Sequence, residues 1–91
     1  MRIKYENKIN FFNLPGKCTI RIYTVAGDLV KTIDHNDGTS EEAWYQLNDN
    51  NQLVFSGVYI YHVQSDFGNK IGKLIVIRTS TKEERDMGFY K

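Results

Sequence analysis

The strongest pattern in the sequence is a run of β-branched and aromatic residues between Val54 and Gln64. Such residues favour strands because they fit a pleated, half-buried surface. Successive side chains of a strand point to opposite faces. One face of this run carries Tyr59, Tyr61 and Val63, and the other carries Val58, Ile60, His62 and Gln64. Because the second set ends in polar residues, the pattern predicts that the tyrosine face is buried.

Residues 18–25 alternate in the same way and predict a second strand. Cys18, Ile20 and Ile22 are expected on its buried face, because polar residues separate them. The sequence Ala26-Gly27-Asp28 is typical of a compact turn. It predicts that residues 29–34 return as the hairpin partner of this strand, with Val30 in contact with the core.

Three shorter segments extend the pattern. Residues 9–13 predict an edge strand that ends at Leu14-Pro15-Gly16, where Pro fixes φ and Gly permits positive φ. Residues 41–47 contain Trp44, the only tryptophan, and its large apolar surface is expected in the core. We favour a strand here over a helix from 40 to 46, because the segment is short and a polar turn follows it. Residues 73–78 predict the last strand, after a hairpin loop at 66–69.

Turn-forming residues separate these segments at nearly regular intervals, including the polar runs 35–40 and 48–51. Such residues favour bends over strand ladders. Short strands at this spacing are typical of two packed sheets. The sequence therefore predicts an all-β fold, an antiparallel β-sandwich of about seven strands.

Composition supports one domain and limits its partners. The 91 residues are 41% hydrophobic and 13% aromatic, which suffices for a single modest core. Twelve basic and eleven acidic residues give a net charge of +1, so we expect neither nucleic acid nor an anionic membrane as a partner. No stretch approaches the roughly 20 apolar residues of a membrane helix. The N-terminus also lacks the apolar segment of a signal peptide.

The sequence contains no pattern typical of a catalytic, cofactor-binding or metal site. The lone Cys18 cannot form an internal disulfide and is expected to be a small buried hydrophobic residue. The two histidines, His35 and His62, are expected to be solvated on the surface. Ser40 and Ser56 lie in no nucleophile-elbow pattern. We therefore expect no enzymatic activity and no cofactor.

Two other groups of residues resemble ligand-binding sites, but a structural role without a ligand is the simpler interpretation of each. The run Asn48-Asp49-Asn50-Asn51 offers oxygen atoms but lacks the ligand spacing of an EF-hand calcium loop, so we expect a plain turn. Four tyrosines would form a platform for a sugar or peptide only if several shared a face. Scattered surface aromatics are the simpler interpretation of these four, which are Tyr5, Tyr23, Tyr45 and Tyr90.

The character of the chain changes after Arg78. Residues 79–91 include six charged side chains and no strand alternation. Ser80-Thr81-Lys82-Glu83 fits a capping box and Gly88 fits a helix end, although a frayed terminus is the simpler interpretation. The aromatic side chains of Phe89 and Tyr90 are candidates for contact with this domain or with a neighbour. The expected organisation is an N-terminal extension at 1–8, a domain at 9–78 and a tail at 79–91.

Several motifs occur in an order that is informative as a set. They are Leu14-Pro15, the hairpin from Thr19 to Thr32, Trp44, Asn48-Asp49-Asn50, Ser56-Gly57-Val58-Tyr59-Ile60-Tyr61 and the strand from Gly72 to Arg78. With them, residues 9–78 resemble the immunoglobulin-like domain of flagellar hook-capping proteins and the C-terminal sorting domains of proteins exported by the type IX secretion system. This chain has Tyr45 and Asn51 where the family usually has Asp and Gly, and Asn tolerates left-handed φ.

The resemblance implies an immunoglobulin-like sandwich that is not an enzyme. It implies the C-terminal module of a secreted or cell-surface bacterial protein, which other protein domains or the export machinery recognise for sorting or attachment. The implied location is extracellular or on the cell surface, within a larger precursor, and it is cytoplasmic only if Met1 starts a complete chain. A second hypothesis is a subunit of an extracellular assembly whose tail docks on a neighbour. A third is a carbohydrate-binding sandwich.

Overall fold

The fold is described by a computed structural model, which covers residues 8–77. The tail, with its helix signals between Ser80 and Gly88 and the candidate contact residues Phe89 and Tyr90, lies outside this range, as does Tyr5. The strands are β1 (Ile9–Phe11), β2 (Cys18–Thr24), β3 (Leu29–His35), β4 (Glu42–Trp44), β5 (Gly57–Ser65) and β6 (Gly68–Val76). No helix among the described residues is long and apolar enough to cross a membrane.

The six strands form two antiparallel sheets, which confirms the predicted fold class with six strands in place of about seven. The larger sheet has the order β3-β2-β5-β6, and the smaller sheet consists of β1 and β4. The segment between Trp44 and β5 adds no strand, because Gln46 adopts a left-handed φ of 64°. Only an isolated bridge between Leu47 and Leu53 forms there.

The register of the larger sheet aligns the predicted buried faces of β2 and β5. Ile20 lies opposite Val63 and Ile22 lies opposite Tyr61. The β2–β3 turn uses Gly27 at a φ of 98°, a conformation that glycine adopts without the steric cost of a side chain. The predicted hairpin between residues 18–25 and 29–34 is therefore confirmed, and Val30 is half-buried against the core.

The smaller sheet is shorter than the sequence pattern predicts. β1 pairs with β4, so that Ile9 lies opposite Trp44. β1 ends before Asn13, whose φ is 59°, two residues ahead of the predicted end of the strand. The choice of a strand over a helix around Trp44 is confirmed, although this strand has only 3 residues.

Aromatic side chains join the two sheets across the core. Ile20 and Ile22 are fully buried, and Trp44 is 2% exposed. The rings of Trp44 and Tyr59 meet edge to face with 6.2 Å between centroids, an arrangement that aromatic quadrupoles favour. The indole Nε1–H of Trp44 donates to the carbonyl of Leu47 at 2.9 Å, so the tryptophan is buried with its polar atom paired.

The polar run at 48–51 is a turn, as the sequence predicts. The side-chain oxygen of Asn48 accepts hydrogen bonds from the backbone N–H groups of Asn50 at 2.8 Å and Gln52 at 3.0 Å. Asn51 has a φ of 62°. Asparagine therefore occupies the left-handed position where the resembling family usually has glycine.

Candidate functional site

His35 is buried, and the prediction of a solvated surface histidine was wrong. It is the last residue of β3 and is only 1% exposed. Its Nδ1 lies 2.6 Å from Oε1 of Glu42, and its Nε2 lies 2.7 Å from the carbonyl oxygen of Thr39. Glu42 belongs to β4, so this contact connects the larger sheet to the smaller one.

The reason for the burial of His35 is strand alternation. β3 extends one residue beyond its predicted end at Asp34, and the residue two positions after Ile33 falls on the same face as Ile33. His35 pairs with Cys18, which is itself buried. Continuing the alternation of β3 into the polar run would have located this histidine from sequence.

The partners of His35 determine its protonation state. A backbone carbonyl and a carboxylate only accept hydrogen bonds, so these two contacts favour the imidazolium form, in which both ring nitrogens donate. The hydrogen bond to Glu42, followed by the one to Thr39, raises the pKa of His35 above its usual value, although burial opposes this. The hydroxyl and amide of Thr39 lower the pKa of Asp37.

The same cluster contains residue types that bind metal ions. Ligand atoms of His35, Asp37 and Glu42 lie within 4.8 Å of one another. However, the glutamate contacts Nδ1, whereas Oδ1 of Asp37 lies 3.4 Å from Nε2 on the other side of the ring. A single ion cannot bind both ring nitrogens, and each nitrogen already lies within hydrogen-bond distance of an oxygen atom. The residues fit a hydrogen-bonded structural cluster better than a metal centre.

The other residues considered from sequence are dispersed over the sandwich. His62 is half-buried on the outward face of β5, opposite Ile71 of β6. Ser40 precedes β4, where its carbonyl accepts from the amide of Leu14 at 3.0 Å, and Ser56 lies at the bend before β5. Cys18 is buried as predicted, and burial, aided by the charge of Glu42, raises the pKa of its thiol.

The two described tyrosines of the predicted platform belong to different sheets. Tyr23 lies on β2 of the larger sheet, whereas Tyr45 follows β4 of the smaller sheet and is 55% exposed. Tyr5 and Tyr90 lie outside residues 8–77. The described tyrosines thus do not contribute to one stacking surface.

One group of exposed apolar side chains lies on the outward face of the larger sheet. We call it the outer patch, and it consists of Val58, Ile71, Ile75 and Ile77, which are 42%, 70%, 62% and 75% exposed. Val58 on β5 lies opposite Ile75 on β6. Patches of this kind mark sites of protein contact more often than isolated exposed side chains do.

The outer patch lies beside the β6 edge of the larger sheet. Within residues 8–77, β5 is the only strand that pairs with β6. The register is unbroken, from Gly57 opposite Val76 to Ser65 opposite Gly68. On the inner side of β5 and β6, a cleft of about 360 Å³ opens toward β1. Apolar side chains line much of it, including Ile9, Phe11, Leu14, Tyr61, Val63 and Leu74.

The opposite edge of the same sheet is covered. The amide of Asp49 donates to the carbonyl of Val30 at 3.0 Å. The carboxylate of Asp49 accepts from the amide of Thr32 at 3.3 Å and lies 3.7 Å from Nζ of Lys31. The 48–52 turn therefore satisfies backbone groups of β3 that would otherwise be open to another strand.

Comparison with known proteins shows that this chain is similar to domains of a bacterial secretion system. Residues 3–77 match the family described as the secretion system C-terminal sorting domain. A solved structure of PorZ from Porphyromonas gingivalis, described as an essential bacterial surface component of the type IX secretion system, is similar with a TM-score of 0.66 and 25% identity. The similar region covers 81% of this chain and 10% of the PorZ chain. The comparison with curated proteins gave no significant match.

These comparisons confirm the resemblance to type IX sorting domains, while the resemblance to hook-capping proteins stays a prediction. The family is one of sorting domains and is not an enzyme family. Its matched range includes the whole described sandwich, from β1 to the end of β6. This chain therefore belongs to the secretion system C-terminal sorting domain family.

Proposed function

We propose that this chain is the sorting module of a larger bacterial protein and directs that protein through the type IX secretion system to the cell surface or the medium. The observation that carries the proposal is the match to sorting domains over residues 3–77, which coincides with a folded sandwich over residues 8–77. The function is recognition of the folded surface by other proteins and involves no catalysis.

Two features of the molecule support recognition by contact. The side chains of the outer patch are exposed, and no segment of residues 8–77 other than β5 pairs with β6. Both features are open to a protein partner, whereas the buried His35 is enclosed by its contacts with Glu42 and Thr39. The similarity to part of PorZ, a surface component of the same secretion system, supports the export machinery as that partner.

A reporter fusion tests the proposal. A periplasmic reporter carrying residues 1–91 at its C-terminus is produced in a bacterium with an active type IX system and in an isogenic strain in which that system is inactivated. We expect the reporter on the surface or in the medium of the first strain only. Retention of the fusion in the periplasm of both strains would contradict the proposal.

A matched pair of variants shows whether the fold is required. Trp44→Ala removes a side chain that is 2% exposed, whereas Tyr45→Ala changes a neighbour that is 55% exposed. The first substitution is expected to cost about 3–5 kcal/mol of folding free energy, and it should abolish export of the reporter. Export of the Tyr45→Ala fusion should be unchanged. Equal export of both variants would argue against recognition of the folded module.

Attachment through the tail is a second proposal and rests on Phe89 and Tyr90, two aromatic side chains in a charged segment. If they anchor the module on a neighbouring subunit, deletion of residues 79–91 should lower the number of chains per particle measured by light scattering while leaving export intact. An unchanged oligomeric state would remove the tail from the contact.

A further inference from the structure

We infer that β6 is an acceptor strand, whose edge is not covered by any other segment of residues 8–77 and binds an extended segment of a partner protein with acidic and apolar side chains on both of its faces. The inference deepens the proposed sorting function, on which its biological role rests, by naming the place and the chemistry of the contact. It stands on three independent features of β6, which are its backbone edge, its outward face and its charge.

The backbone edge of β6 is suited to strand addition. β6 has 9 residues, it contains no proline, and its pairing with β5 shows no register shift. Natural sheets block such an edge with proline, a bulge, a covering loop or charged side chains, lysine above all. Of these devices, the described residues give β6 only Lys70 and Lys73, which repel strands of like charge but not acidic ones. Among residues 8–77, β5 with its hairpin turn is the only segment that bonds the β6 backbone. Alternate amides and carbonyls are therefore available to an added strand.

The outward face of β6 gives such a strand apolar contacts. Ile71 and Ile75 are two-thirds exposed and stand four residues apart on the same face. An added strand would place alternate side chains beside them. Its other side chains would point to the inner side of the sheet, where Leu74 lines the cleft that opens toward β1.

The charge of this region selects the partner. The outward positions of β2, β5 and β6 carry Arg21 and Lys73 and, within the described strands, no carboxylate. On the inner side, Lys70 lines the cleft. Each side of an added strand would thus meet a lysine of β6. Opposite charges on neighbouring strands stabilise their pairing and like charges destabilise it, so acidic side chains are favoured on the partner.

The same features argue against two other occupants. Two copies of this chain paired through β6 would bring four lysines onto adjacent strands without a carboxylate between them, which like-charge repulsion disfavours. A lipid surface cannot supply the alternating donors and acceptors that a strand edge requires. A protein segment in extended conformation supplies apolar contacts, acidic charge and backbone hydrogen bonds together.

A synthetic peptide tests the inference directly. The probe is a fluorescein-labelled nine-residue peptide with the repeat Glu-Glu-Val-Val, so that each face of the extended peptide carries both glutamate and valine. It is titrated with the full 91-residue chain and followed by fluorescence anisotropy. The same peptide with lysine in place of glutamate should bind at least tenfold more weakly. A glutamate–valine peptide methylated on three consecutive central amide nitrogens should also lose at least tenfold, because it cannot form strand hydrogen bonds on either edge.

Surface variants locate the binding site. Ile75→Glu should weaken binding at least tenfold, since it removes an apolar contact and repels the acidic probe. Lys73→Glu should weaken it about two- to fivefold, as expected for an exposed charge pair. The matched controls are Leu29→Glu on β3, where the side chain is 52% exposed, and Lys17→Glu outside the strands. Both controls should bind like the parent chain, and hydrogen exchange should show new protection in β6 only.

Several results would overturn the inference. These are no binding by the glutamate–valine peptide, equal binding of the methylated peptide, and equal loss of binding in the two control variants. Binding that occurs only after removal of residues 79–91 would show that this chain's own tail occupies the edge of β6. Stronger binding to anionic phospholipid vesicles than to the peptide would assign the surface to lipid. Because the assay uses purified protein and no export machinery, its failure is separate from failure of the reporter fusion.

Discussion

The two edges of the larger sheet are built differently. At the β3 edge, Asp49 bonds the backbone on both sides of Lys31, through Val30 and Thr32. His35 at the end of β3 is tied to Glu42 of the smaller sheet. At the β6 edge, the described residues provide no such cover, and the exposed side chains are mainly isoleucine and lysine.

This difference shows that a small sandwich can protect one edge with its own turns and leave another for contact. Asp49 follows Asn48, whose side chain organises the turn through Asn50 and Gln52. The turn therefore holds Asp49 in place at the β3 edge. No comparable loop crosses β6 within residues 8–77. Unprotected edges carry a risk of aggregation, so a long open edge is more consistent with a binding role than with stability alone.

Among the substitutions that compare the two edges, the largest effect is expected from one that disturbs the β6 side from within. A Cβ at Gly72 would lie only 2.5 Å from Cζ of Tyr61, and that ring packs edge to face on Phe11 with 5.3 Å between centroids. Gly72→Val should therefore destabilise the domain by about 2–3 kcal/mol, as overpacking does. Urea unfolding measures the loss, and hydrogen exchange should increase in β6 more than in β3.

A double variant provides the control for this effect. Tyr61→Ala removes the obstructing ring, so the cost of Gly72→Val in that background should be much smaller than in the parent chain. If the cost is the same in both backgrounds, the ring of Tyr61 is not what requires glycine at position 72.

A smaller effect is expected at the β3 side from Glu42→Gln. The substitution weakens a hydrogen bond between two charged groups, one of them buried, at a cost of about 2 kcal/mol. The pKa of His35 is raised in the folded state, so the folded protein binds more protons than the unfolded chain above about pH 6.5. The contribution to stability is complete below that pH and is lost as pH rises through the folded pKa.

Urea unfolding between pH 6 and pH 8 measures this dependence. The parent chain should lose stability as pH rises, and Glu42→Gln should flatten the dependence. Glu41→Gln is the matched control, because its side chain is exposed and adjacent in sequence. An equally steep pH dependence in the Glu42→Gln variant would show that this glutamate does not stabilise the imidazolium.

The smallest effect is expected from opening the β3 edge with Asp49→Ala. The variant loses the side-chain acceptor for the amide of Thr32, which costs about 1 kcal/mol. The amide of Thr32 should exchange faster, and β3 should then resemble the open β6 edge. Asp49→Asn retains an acceptor and should exchange like the parent chain. Unchanged exchange in Asp49→Ala would show that the backbone bond to Val30 alone protects this edge.

Much of the fold was predictable from local patterns. Alternation located β2 and β5 with their buried faces, and Ala26-Gly27-Asp28 located the turn between β2 and β3. The polar run 48–51 was correctly predicted as a turn, but its role at the β3 edge was not predictable. That role depends on Asp49 reaching Val30 and Thr32, which are 17 or more residues away in sequence.

The sequence by itself determined the β-sandwich, the membership in a family of sorting domains and the burial of Trp44, because these depend on alternation, turn residues and side-chain size. Only the tertiary structure decided the state of His35 and the difference between the two sheet edges. Strand alternation extends to His35, but the carboxylate that contacts its ring belongs to Glu42 of the other sheet. A sheet edge is covered only if a loop that is distant in sequence folds onto it, and no local sequence pattern encodes that contact.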